Sequence, residues 1–117
     1  MAAKQGNNNI PSGHLETYKK LIDTIPEIKL KGASVPYTSF NGHMFSYFEK
    51  DGSFGLRLPE NTRDEFLRKF DTTLFLSYGI VKKEFVLVPD KLFQTKKELA
   101  HYFQISFEYV KSLKPKG

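Results

Sequence analysis

The side chains whose types suit catalysis or metal binding are few: His14, His43 and His101, with Ser39, Glu49 and Asp51 near the middle of the chain. A helical zinc site needs a second histidine or a carboxylate one turn away on the same face. None of the three has a second histidine at that spacing, and the one carboxylate a turn away, Glu98 before His101, makes a pair short of a zinc ligand set, so His14, His43 and His101 read as half-buried or surface residues, and His43 as a structural residue beside a turn. Ser39, His43 and Asp51 hold the types of a nucleophilic triad, but no G-x-S-x-G elbow presents the serine. Glu49 and Asp51 flank a tight turn, where water holds carboxylates near their ordinary acidity, and general acid catalysis needs one raised. Gly52 and Gly55 are followed by no P-loop lysine and hydroxyl, and Ser53 interrupts the resemblance of residues 52–56 to an RNA-recognition strand. The expectation is a protein that is not an enzyme, with no cofactor, no metal and no catalytic residues.

The elements that hold these residues are set by turns. Residues 35–58, VPYTSFNGHMFSYFEKDGSFGLRL, are aromatic-rich runs cut by Asn41-Gly42 and Asp51-Gly52, pairs suited to the two positive φ angles of a type I′ turn. Three antiparallel strands follow. Two-residue loops pair Phe40 with His43, Thr38 with Phe45, Phe48 with Gly55 and Tyr47 with Leu56. Alternation then gives a core face of Thr38, Phe40, Phe45, Tyr47, Phe54, Leu56 and Leu58. The outer face would carry Val35, Tyr37, Ser39, Met44, Ser46, Phe48, Gly55 and Arg57. Gly55 leaves room for the Phe48 ring over the backbone, or marks a bulge.

Upstream, Leu15, Tyr18, Leu21, Ile22 and Ile25 recur at helical spacing, with Ser12 as N-cap and Pro26 at the end. Pro59 closes the third strand, and residues 60–70 form a short helix with acids first and Arg68 and Lys69 last. Residues 74–78 and 85–88 read as a second hairpin. Thr95 to Glu98 fits a capping box, followed by Leu99, Tyr102, Phe103, Ser106, Val110 and Leu113 at helical spacing. Ile105, Phe107 and Tyr109 widen that apolar arc beyond one sheet contact and suggest burial against another subunit or a partner. The order α-β-β-β-α-β-β-α gives an α+β two-layer sandwich, helices against an antiparallel sheet.

The 117 residues, 39% hydrophobic and without cysteine, fit one domain in a reducing compartment, and exclude thiol chemistry and disulfides. Residues 1–13 read as a flexible leader, 14–113 as the domain and 114–117 as a basic tail. The leader lacks the apolar stretch of a secretory signal, and no run approaches the about 18 apolar residues of a spanning helix. The expected location is cytoplasmic, away from membranes. Of the 18 basic residues, Lys4, Lys111, Lys114 and Lys116 sit near the ends, which leaves 14 against 13 acidic side chains in the body. The net charge of +5 therefore lies mainly at the ends, where a nucleic-acid module carries a basic stripe on its folded part.

NGHMF at 41–45, LRLP at 56–59 before a helix ending EFL at 65–67, and KEFVLVP at 83–89 stand in an order that resembles the N-terminal domain of the TfoX/Sxy competence regulators and their stand-alone relatives. The resemblance covers residues 15–113. It implies a two-layer α/β sandwich akin to YjbR-like proteins and type III secretion chaperones, and it supplies no catalytic or ligand-binding residues. Gly32, Ala33 and Ser34 replace the family's usual Met-Phe-Gly. The chain also ends after the third helix, without the C-terminal domain of the full-length regulators. The expected role is protein interaction, including self-association, through Tyr37, Met44, Phe48, Arg57 and Phe107, residue types enriched at interfaces. The alternative is a nucleic-acid-associated regulatory accessory protein.

Overall fold

Asn41 and Gly42 take φ of 55° and 83°, the paired positive angles of a type I′ turn, and Phe40 faces His43 across it. The computed structural model in which this turn is seen describes residues 10–11, 13–32, 36–77 and 79–115. Ser12 as a cap, Val35 on the outer face, the Ala33-Ser34 corner, Tyr78 at a strand end and Lys116 in the tail lie outside them. The elements are α1 (His14–Asp23), β1 (Tyr37–Phe40), β2 (His43–Phe48), β3 (Phe54–Arg57), α2 (Glu60–Lys69), β4 (Leu74–Ser77), β5 (Ile80–Leu87), a 3-10 turn at Asp90–Phe93, and α3 (Lys96–Ser112). Apart from the 3-10 turn, this is the expected order. The five strands form one antiparallel sheet in the order β1-β2-β3-β5-β4, and the helices complete a two-layer α+β fold.

The register of the first three strands departs from expectation in two places. Thr38 faces Ser46 while Ser39 faces Met44, so Phe45 is an extra residue in β2, a bulge that breaks the alternation of faces. The second departure is at the Asp51-Gly52 loop. There Gly52 donates to the Glu49 carbonyl and Glu49 to that of Ser53; Gly52 has φ 92° and Asp51 has no positive φ. Three residues close the loop, in the manner of a type I turn followed by a left-handed glycine. Phe48 therefore faces Phe54, Tyr47 faces Gly55, and Ser46 faces Leu56, each one residue from the expected pairing.

The consequence is an exchange of faces. Phe45, Ser46 and Phe48 all point into the helix layer, and Tyr47, expected in the core, lies on the outer face. Phe45 meets the rings of Phe103 and Phe107, and Phe48 meets Tyr18, Phe54 and Phe93. The buried hydroxyls that come with this arrangement satisfy one another. Tyr18 bonds the Ser46 hydroxyl at 2.7 Å, and Ser46 in turn bonds Thr38, as buried polar groups require.

The breadth of α3 is taken up inside the chain. Phe103 and Phe107 face the sheet, Tyr102 meets Phe66 of α2, and Ile105 and Tyr109 pack at the margin of the core. The expected capping box does not close. Thr95 occupies the N-cap, but its hydroxyl bonds the Leu92 carbonyl offered by the 3-10 turn, and Glu98 pairs with Lys69 of α2 at 2.9 Å. Ile10 packs against the core, and the backbone N–H of His14 donates to the Pro11 carbonyl at 3.0 Å, so Ile10 and Pro11 contact the folded body.

Candidate binding groove on the outer sheet face

On the outer face, Tyr37 of β1 faces Tyr47 of β2, Tyr47 faces Gly55 of β3, and Gly55 faces Leu87 of β5. This row crosses four strands with a gap at the glycine. Phe75 of β4 fills the gap: a Cβ on Gly55 would lie 2.7 Å from its Cδ2. The irregular pairing of β4 with β5 makes this possible, since Leu74 faces Val86 while the next residue, Phe75, faces Lys82. Phe75 is thereby brought back over β3, edge-on to Tyr47 at a centroid distance of 5.2 Å, and Phe85 meets the same tyrosine at 5.4 Å.

Between this aromatic wall and Tyr37 and Met44 runs a groove of about 630 Å³, within the range of ligand clefts. Tyr37, Met44, Tyr47 and Phe85 supply apolar surface, and Arg57, His43, Glu49, Ser77 and Lys82 supply polar groups. Ser77 donates a hydrogen bond to Glu49. Burial raises the Tyr47 hydroxyl above its usual acidity range; a hydrogen bond with Ser77 opposes the rise and the Glu49 charge adds to it. Arg57 is held in place by Glu84, with Nη2–Oε1 at 2.6 Å, and its guanidinium lies 5.7 Å from the Tyr109 ring. Tyr109 donates to the other Glu84 oxygen at 3.2 Å. Burial would raise the Glu84 carboxyl, but the bonds and charge of Arg57, with the Tyr109 hydroxyl, outweigh it and hold the group below its usual value.

Of the residues proposed from sequence, Tyr37, Met44, Phe48 and Arg57 line this groove. Met44 is 40% exposed. Phe48 and Phe107 do not serve as surface anchors: their exposures are 0% and 2%, because the β2 bulge turns Phe48 inward and α3 lays Phe107 on Phe40 and Phe45. Tyr47, Phe85, Ser77 and Lys82 escaped sequence reasoning. The available signal was Gly55, which does mark a ring over the backbone, though the ring belongs to Phe75.

The imagined triad is dispersed. Ser39 accepts from Lys31 at 3.0 Å, His43 Nε2 bonds the Lys114 carbonyl oxygen at 2.7 Å, and Asp51 accepts from the Ser53 amide and hydroxyl at 2.9 and 2.5 Å. The Ser53 hydroxyl, with its amide, holds Asp51 below the usual carboxylate range, as expected for a turn-forming carboxylate. Among the described residues no group of three or more histidine and carboxylate side chains could hold a metal ion, and no helix is long and apolar enough to cross a membrane. Lys111, one of the terminal lysines, pairs with Glu27 at 3.3 Å.

Fold and groove together define an α+β two-layer protein with an aromatic cleft on the face of its sheet opposite the helices. Comparison with known proteins finds no matching family model, no matching curated protein and no matching solved structure.

Proposed function

We propose that this chain is a non-enzymatic protein-interaction module, a relative of the TfoX/Sxy N-terminal domains, which holds its partner in the outer-face groove. The observation that carries the reading is the lining of that groove. Tyr37, Met44, Tyr47 and Phe85 form one concave surface beside an Arg57 already fixed by Glu84, and no described helix lies over it. Aromatic, methionine and arginine side chains concentrate at the energetic centres of interfaces. A preformed concave surface loses little side-chain entropy on binding. A cytoplasmic location accompanies the reading, supported by a chain without cysteine.

The test is crosslinked capture from the cells that make the protein, comparing the native chain with Met44→Glu and Tyr37→Ala. Both substitutions fall on the groove, outside the core. The expected outcome is one recovered protein whose yield falls at least about tenfold with either variant, the loss associated with an interface anchor. Equal recovery with all three chains counts against the groove. Capture abolished by nuclease assigns the protein to the nucleic-acid alternative.

A further inference from the structure

The polar groups that line the outer-face groove are matched inside the chain, with one exception. Arg57 gives both Nε and Nη2 to one oxygen of Glu84, at 2.7 and 2.6 Å, so its charge is met from behind the lining. Glu49, the one carboxylate among the described lining residues, accepts from the Ser77 hydroxyl. His43 bonds the Lys114 carbonyl oxygen. Lys82 is left over. It faces Phe75 across the pairing of β4 with β5 and is half-buried in the lining, whereas the next residue, Lys83, is exposed. Among the described residues Lys82 has no ion-pair or hydrogen-bond partner.

Water meets that charge while the groove is open. A segment that fills the groove displaces the water, and a lysine then buried without a partner opposes binding. We propose, on the reading of the groove as a protein-binding surface, that the partner segment it holds carries a single acidic side chain, Asp or Glu, seated on Lys82, with apolar neighbours against Tyr37, Met44 and Phe85. A wholly apolar segment fits the walls but strands Lys82, so the lysine selects by what it refuses as well as by what it accepts. A second acidic group finds no unmatched cation among the described lining residues, because Arg57 is already held by Glu84. Glu49 lines the same groove and repels a polyanion such as a nucleic-acid backbone, which is bound by a run of cations. One acid among apolar residues is the chemistry that leaves no charge in the filled groove unmatched.

Selection of short random peptides displayed against the full chain tests the pairing, with peptides that bind Tyr37→Ala equally well set aside as binding elsewhere. The peptides that depend on the groove are expected to share one acidic residue flanked by apolar ones. Replacing that acid by its amide in a synthetic peptide is expected to weaken binding to the native chain at least about tenfold, the loss that goes with a charged hydrogen bond. On Lys82→Met the same replacement is expected to cost nothing further, since the pair is already broken. Lys82→Glu is expected to select a basic residue at that place. If the Lys82 variants lose the native circular dichroism spectrum, the acid-to-amide comparison on the native chain decides. Groove-dependent peptides with no acidic preference, or an acid whose replacement costs as much on Lys82→Met as on the native chain, overturn the proposal and leave the groove a protein-binding surface. No groove-dependent peptide at all overturns both readings. Single-stranded DNA that displaces the peptides, and binds Lys82→Met more weakly, places a polyanion in the groove and overturns the proposal as well.

Discussion

Tyr18 shows how one side chain joins the layers. Its ring stands edge-on to Phe48, Phe54 and Phe103 at centroid distances of 5.2–6.3 Å, and its hydroxyl reaches Ser46 at the β2 bulge. Burial disfavours the phenolate and raises the group well above the usual tyrosine value, with the bonds to Ser46 and Thr38 opposing only part of the rise. The unfolded chain therefore loses this proton more readily than the folded one. The stabilising effect is complete below the unfolded value of about 10 and is lost as pH rises above it. Urea unfolding across that range is expected to show a falling midpoint, and Tyr18→Phe a flatter one. Tyr47 and Tyr109, also raised, leave a residual slope. At neutral pH the same substitution is expected to cost about 1 kcal/mol, the net worth of a buried hydrogen bond. A variant with the full native alkaline loss would show that Tyr18 is not its source.

At the scale of elements, the contact of β3 with β4 depends on one missing methyl group. Phe75 is buried over Gly55, and a Cβ there meets ring atoms at 2.7–2.9 Å, closer than packed atoms approach. The ring is held in turn by Tyr47. Gly55→Ala is expected to destabilise the fold by about 1–3 kcal/mol, the usual cost of overpacking, read as a lower urea midpoint. An unchanged midpoint would mean that β4 moves freely over β3. This contact also marks the limit of what the sequence made legible. The Asn41-Gly42 turn, the element order and the inward faces of α1 and α3 followed from local chemistry and periodicity. The faces of β2 did not, because alternation propagates from register, and one extra residue at Phe45 reverses everything after it. The Asp51-Gly52 loop carried the same ambiguity: Asp-Gly suits a two-residue turn, but here the Ser53 contacts fix Asp51 and glycine alone takes the left-handed position. Tyr37, Met44 and Arg57 could be assigned to the outer face from the meander alone. Phe85, Ser77 and Lys82 reach it only because β5 inserts between β3 and β4, a pairing between distant segments that periodicity does not encode.

At the scale of the whole molecule, the sheet divides the labour. Its helix side buries the rings of β2, β3 and α3 and contributes most of the core, whereas its outer side is sculpted by the β4–β5 hairpin into a groove. The free edge of that hairpin ends the sheet. The apolar lining of that groove is left open by the described elements, and Met44, exposed on it, is placed to report on its occupancy. The sequence contains two methionines, Met1 and Met44, so methyl-labelled methionine gives a two-signal spectrum. Added to the partner recovered by crosslinked capture, the labelled protein is expected to show a shifted or broadened Met44 methyl resonance and an unchanged Met1 signal. A complex that forms while the Met44 resonance stays where it was would contradict the groove as the binding surface.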